Sequence, residues 1–388
     1  MSDPIRVGLI GYGYASKTFH APLVSGTPGM TLAAVSSSDE TKVLADWPAV
    51  KVVTAPQALF SDPDIDLVVI PTPNDTHFPL AKAALEAGKH VVVDKPFTVT
   101  LSQARELEAI AKSEGRLLSV FHNRRWDSDF LTVKSLINEG LLGEVGYFES
   151  HFDRYRPQVR QRWREQGGPG SGIWYDLAPH LLDQVVNLFG LPVSMQVDLA
   201  QLRPGSQSTD YFHAVLAWPQ RRVVLHGTLV AAAETARFII HGSRGSYVKY
   251  GLDPQEERLK SGERLPQEDW GYDMRDGLLT RAEGEEITEE SWLTLPGNYP
   301  AYYAAIRDAL NGIGVNPVPA SQAIQIMELI ELPPVLARGR NIKPAARAGS
   351  APLFPGRLKR RAPDRFSAPG EFARGLNRLP GRRRCIRG

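Results

Sequence analysis

A chain of 388 residues, 42% hydrophobic and 23% charged, has room for two ordinary domains and the composition of a globular protein. No run approaches the ~20 consecutive apolar residues of a spanning helix, and the N-terminus enters a strand-like run at Ile5 with no room for a cleavable signal, so a cytoplasmic protein with no membrane partner is expected. The lone Cys385 excludes an internal disulfide and a multi-cysteine zinc site. The net charge of +2 hides an asymmetry: 13 Arg and 2 Lys oppose Asp364 and Glu371 in residues 333–388, a net +13, which leaves −11 on residues 1–332.

In chain order, strand-like runs at Ile5–Ile10, Leu32–Val35, Leu67–Ile70, His90–Val93 and Leu117–Phe121 alternate with helical patterns at Leu80–Ala87 and Gln103–Ser113. Strands separated by helices predict a parallel sheet covered on both faces, a Rossmann-like doubly wound domain over residues 1–122. Beyond it, alternating runs at Val145–His151, Met195–Leu202, Tyr211–Trp218, Arg221–Val230, Ala236–His241 and Ser246–Tyr250 predict a mostly antiparallel open sheet. Helices are expected at Phe130–Glu139, Ile173–Phe189, Ala301–Leu310 and Ser321–Leu332, giving an α+β domain over 123–332. The fold class is therefore α/β followed by α+β. Residues 333–388 hold 8 Pro and 7 Gly with no sustained period, a composition that predicts a disordered basic tail.

The first strand runs into Gly11-Tyr12-Gly13-Tyr14-Ala15-Ser16 and then a helix. Glycines there let the backbone turn tightly and approach a pyrophosphate at the helix N-terminus. Strand, glycines and helix in that order predict a dinucleotide site, with Gly11, Tyr12, Gly13, Ala15 and Ser16 against the cofactor. At the end of the second strand, Ser37 stands where an NAD-selective site places a carboxylate, and Lys42 follows. Hydroxyl donors without carboxylate repulsion suit a 2′-phosphate, so NADP is preferred to NAD, although Asp39 and Glu40 lie close by.

Three more segments narrow the reading: Pro71-Thr72-Pro73-Asn74-Asp75-Thr76-His77, Val91-Val92-Val93-Asp94-Lys95-Pro96, and Gly172-Ile173-Trp174-Tyr175-Asp176-Leu177-Ala178-Pro179-His180. With the opening glycines, these resemble the Gfo/Idh/MocA family of sugar and polyol oxidoreductases over about residues 4–332. Asp94 stands where the family usually has Glu, one methylene longer. The resemblance implies that Lys95 lies near the nicotinamide and the reacting hydroxyl, with Pro96 fixing the turn. It makes His180 the acid/base group and Asp176 its partner or a substrate contact. Thr72, Pro73, Asn74, His77, Asp94, Lys95, Pro96, Asn123, Trp163 and Arg164 become cofactor contacts. It further implies a homo-oligomer, dimer or tetramer, and a final helix that breaks off at Leu332 where relatives continue.

Asp176 and His180, four residues apart, share one helix face. An imidazole suits the proton that leaves a carbinol when its hydride is removed. Asp183 and Gln184, one turn on, read as structural, and Tyr299, Tyr302 and Tyr303 as packing residues. Tyr155 and Arg156 fit either a sugar pocket or a solvated basic loop, and the stretch from Asp253 to Thr294 reads as a specificity loop. No HExxH helix or cysteine cluster is present, so no metal is expected.

The function read from the sequence is NAD(P)-dependent hydride transfer at a carbinol or carbonyl carbon of a sugar, inositol or similar polyhydroxylated substrate. The alternatives are a cofactor-bound sensor or scaffold with little turnover, or a reductase of a non-sugar substrate. Nucleic acid is disfavoured as a partner, since only the tail supports it. That tail reads more simply as the product of a reading-frame change in a GC-rich gene.

Overall fold

The computed structural model describes residues 3–332. The tail expected to be disordered, and the reading-frame change, lie outside the described residues. A six-stranded sheet takes the first part, in the order β3-β2-β1-β4-β5-β6, every neighbouring pair parallel. Its strands are β1 (Ile5–Ile10), β2 (Met30–Ser36), β3 (Lys51–Val53), β4 (Leu67–Ile70), β5 (His90–Asp94) and β6 (Leu118–Phe121). Strands β4 and β5 and the edge strand β6 are buried at every position from Leu67 to Ile70, Val91 to Asp94 and Leu118 to Phe121, as a sheet covered on both faces requires.

The helix expected at Leu80–Ala87 begins earlier, at Asn74, directly after Pro73. Its first turn is polar, so the apolar period that reveals the rest of the helix is missing there. Helix Leu101–Ser113 opens with a reciprocal cap between Thr100 and Gln103, two residues ahead of the expected start.

The second sheet has eight strands in the order β14-β13-β12-β11-β7-β10-β9-β8. They are β7 (Val145–Asp153), β8 (Ser194–Ala200), β9 (Tyr211–Trp218), β10 (Arg221–Thr228), β11 (Ala236–Gly242), β12 (Gly245–Tyr250), β13 (Gly277–Glu283) and β14 (Glu286–Trp292). All pairs are antiparallel except β7 with β10. Phe148 and Phe152 from β7, Phe212, Leu225 and Phe238 from its neighbours, and Leu177, Leu181 and Val185 from helix Gly172–Phe189 form one buried core. The helix covers one face of the sheet.

The long loop expected before Thr294 instead contains helix Gln255–Lys260 and the hairpin β13–β14. Every residue of β14 from Glu286 to Ser291 is exposed, so no apolar alternation marks it, and the tight turn rests on Gly284 at φ +65°. No helix among the described residues is long and apolar enough to cross a membrane.

Candidate active site

Gly11 ends β1 at φ +79°, a conformation glycine adopts without strain, and its N–H donates to Ser36 O at 2.7 Å. A Cβ on Gly13 would meet nothing within 4 Å, so the turn leaves open space above the helical segment that follows. Gly11, Tyr12, Gly13 and Ser37 line a cleft of about 390 Å³ over the carboxyl ends of β1 and β2, together with Asp39 and Lys42. That position and that cradle fit the phosphate-ribose portion of a dinucleotide.

The Asp39 carboxylate is engaged by Lys42. One carboxylate oxygen accepts the Lys42 N–H at 3.1 Å, capping helix Glu40–Asp46, and the other pairs with Lys42 Nζ at 3.3 Å. Tyr12 donates its hydroxyl to Asp46 at 2.8 Å and accepts from Trp47 Nε1.

A larger cleft, about 1100 Å³, is lined from the first sheet by Ala15, Asp94 and Lys95, and from the second by Asp176 and His180. Asn123 and Arg164 also face it. Trp163 does not, and instead stacks under the Arg164 guanidinium at 4.5 Å. Lys95 Nζ donates to the Asp176 carbonyl at 3.0 Å and to its carboxylate at 3.2 Å. Arg164 Nε stands 3.5 Å from the same carboxylate oxygen. Burial alone would raise the Asp176 carboxyl, but the cations Lys95, Arg164 and Arg154 outweigh it and hold the group well below the usual carboxylate range.

Asp176 and His180 share a helix face as expected, yet no Asp176–His180 hydrogen bond exists. The carboxylate goes to Lys95. The His180 imidazole is driven well below its ordinary pKa by burial first, then by Lys95, Arg124 and the neighbouring His122. This departs from the near-neutral imidazole that the sequence suggested. Its Nδ1 is buried with no partner among the described residues.

Asp94 lies behind Lys95, accepting the Lys95 N–H at 2.7 Å, with His20 Nε2 at 3.7 Å. His20 in turn meets Tyr303 at 2.6 Å through Nδ1. Burial raises the Asp94 carboxyl, but His20, Lys95 and His77 lower it more. The Lys95–Pro96 peptide is cis.

The remaining residues assigned to the cofactor also have partners within the chain. Ser16 and Pro96 are buried, and Thr72 Oγ1 accepts from Thr76. Pro73 precedes the helix, and Asn74 donates to the Gly170 carbonyl at 2.9 Å, tying the two parts of the chain. His77 spans the Thr72 and Pro96 carbonyls, 2.9 Å from each. Asp183 forms a two-pronged ion pair with Arg125, and Gln184 bonds Arg124 O and Arg237, the structural roles expected. Tyr299, Tyr302 and Tyr303 are fully buried.

Sequence reasoning did not single out Arg237, Glu256 or Lys260 for the cleft. Arg237 sits on an interior strand face where an apolar residue is the ordinary occupant, and the others belong to a helix read as loop. His151 and Asp153 also line this cleft, and with His226 they have the mutual spacing of metal ligands, His226 Nδ1 lying 2.7 Å from Asp153.

A parallel sheet with a glycine turn at its carboxyl edge, joined to an open antiparallel sheet that supplies a helix-borne Asp and His, defines a two-domain dinucleotide-dependent oxidoreductase. Residues 5–122 match the NAD-binding Rossmann fold of the Gfo/Idh/MocA oxidoreductase family, and residues 134–334 match its C-terminal alpha/beta domain. The chain belongs to that family.

Among its relatives, the Escherichia coli oxidoreductase YdgJ is 84% identical over 332 residues, 86% of this chain and 96% of the relative. The scyllo-inositol 2-dehydrogenase (NADP(+)) IolW of Bacillus subtilis is 37% identical over 85% of this chain and 92% of its own. A solved oxidoreductase structure from Yersinia pestis superposes with a TM-score of 0.83 at 71% identity, covering 85% of this chain and 94% of that one.

Proposed function

We propose that this oxidoreductase transfers a hydride between NADP and a carbinol or carbonyl carbon of a cyclic polyol or sugar. The observation that carries the reading is the convergence of Lys95, Asp176 and His180 on one cleft that also reaches Ala15 of the glycine turn. A family relative named as an NADP-dependent inositol dehydrogenase supports the substrate class.

Bound at this cleft, the nicotinamide supplies the hydride acceptor or donor. The Lys95 ammonium has three N–H donors, and two of them go to Asp176. The third is free for the substrate oxygen, where it stabilises the negative charge that develops as the C–H bond breaks. Asp176 holds that ammonium in place. His180 Nε2 takes the hydroxyl proton, since Nδ1 is buried. A depressed pKa keeps the imidazole neutral and ready to accept, and makes the protonated ring a strong acid for the reverse, carbonyl-reducing step.

Three features favour NADP. Ser37 puts no carboxylate at the ribose, Asp39 is spent on its helix cap, and Lys42 lines the same cleft. We further place the enzyme in the cytoplasm as a homo-oligomer. The test is a panel of inositols, polyols and aldoses with NADP and with NAD, followed at the nicotinamide absorbance. Turnover with a cyclic polyol that is lost in Lys95→Ala supports the reading, and no turnover with any member of the panel overturns it.

A further inference from the structure

Strand β7 turns one side toward helix Gly172–Phe189: Phe148, Ser150 and Phe152 are buried there. Regular strand ends at Asp153, and the chain turns into an isolated antiparallel bridge beyond it. Arg154 N–H donates to Thr228 O at 2.9 Å, Tyr155 bridges to Val230, and Arg156 N–H donates to Leu229 O at 2.7 Å. Tyr155 is exposed at the bridge, whereas Arg154 and Arg156 on either side of it are half-buried and face the cleft. The covering helix has ended by this point. Both guanidiniums line the cleft that holds Asp176 and His180, and Arg154 is anchored 4.6 Å over the Phe152 ring.

Arg160 at the rim is exposed, and the less exposed cations around Arg154 and Arg156 are paired. Lys95 and Arg164 share Asp176, Arg124 has Asp127 and Glu256, and Arg237 has Asp129. Arg154 and Arg156 have no side-chain hydrogen bond or ion pair among the described residues, although both are half-buried. Burial, followed by repulsion among the arginines, lowers the pKa of each, and the attraction of Asp176 does not offset it. Asp176 already answers Lys95 and Arg164 directly, so one carboxylate serves too many cations, and two half-buried guanidiniums side by side leave the site electrostatically incomplete. The dinucleotide phosphates have their own glycine turn at the edge of the first sheet.

We infer that the substrate carries an oxyanion group, a carboxylate or a phosphate, held between Arg154 and Arg156 while Lys95 and His180 act on its carbinol carbon. Two guanidinium forks facing one cleft can both reach the oxygens of such a group and give charge-assisted hydrogen bonds that a neutral polyol cannot make. The inference rests on the hydride-transfer reading above and narrows it from polyols to acidic or phosphorylated polyols.

The test uses the full chain saturated with NADP(H) and substrate pairs that differ in one acidic group: glucuronate against glucose, and inositol monophosphate against inositol. The acidic member of at least one pair is expected to have a kcat/KM at least tenfold above its neutral counterpart. The pair that shows it tells carboxylate from phosphate. Arg154→Gln and Arg156→Gln should each shrink that ratio about tenfold through substrate KM, and Arg154→Lys should keep part of it. Neutral substrates turned over as well as acidic ones, or Gln variants that raise the KM for NADP instead, would overturn the inference and leave the hydride-transfer reading standing. Failure of every pair sinks the hydride-transfer reading, and binding then decides the clamp alone. Inorganic phosphate titrated calorimetrically into NADP-saturated protein should bind the parent chain and not the two Gln variants, and no binding to the parent overturns the clamp.

Discussion

Lys95 reaches from the end of one sheet to the first turn of a helix packed on the other, where its ammonium meets both the carbonyl and the carboxylate of Asp176 at 3.0 and 3.2 Å. The pair joins the two halves of the cleft at the place assigned to the chemistry. The carboxylate stays ionised against the pull of burial because three cations surround it. A substrate oxygen entering there meets an ammonium already oriented, with one donor to spare.

Replacing Lys95 by Met removes that donor and keeps much of the volume. A drop in kcat of about 10²–10³ is expected, the scale of losing one preorganised donor to a developing oxyanion. Dinucleotide affinity, measured by fluorescence quenching, should change by less than threefold.

Ser37→Asp places a carboxylate at the ribose. The preference for NADP over NAD, measured as a ratio of kcat/KM values, should fall by about 10²-fold or more, the sum of lost donors and added repulsion at the 2′-phosphate. An unchanged ratio would move the phosphate site elsewhere.

His122 and His180 are each buried with the pKa lowered, chiefly by burial. These rings are neutral in the fold and take up a proton only on unfolding once the pH is below the unfolded value near 6.5. Their stabilisation is therefore intact above about pH 7 and declines as the pH falls through 6.5 toward the folded values. Urea unfolding at pH 7.5 and pH 5.5 should show a loss approaching about 1.4 kcal/mol per pH unit for each histidine. His122→Asn should reduce that slope.

Asp183 is buried, and both its oxygens hold Arg125, at 2.6 and 2.8 Å. Asp183→Ala leaves a recessed guanidinium without its anion, so a destabilisation of about 3 kcal/mol is expected. Chemical denaturation measures it. A double variant that also changes Arg125 to Leu should recover part of the loss.

Much of this protein is legible without coordinates, because local physics decides it. Uninterrupted apolar runs mark β4 and β5, whereas β9 and β10 alternate in burial more cleanly than in residue type. Gly11 must be glycine because its φ is +79°. The spacing of Asp176 and His180 alone puts them on one helix face. Exposed β14 left no such trace, and neither did the polar first turn of helix Asn74–Glu86.

What the tertiary structure decided was partnership. Asp176 goes to Lys95, 81 residues away, rather than to the histidine one turn along its own helix. His180 loses its proton affinity to a neighbourhood assembled from several elements. Arg154 and Arg156 become cleft residues because the chain leaving β7 bridges to Val230 beside the pocket. A side chain's charge and reach are written in its residue type, but the charges it meets depend on which distant segments the packed core brings alongside.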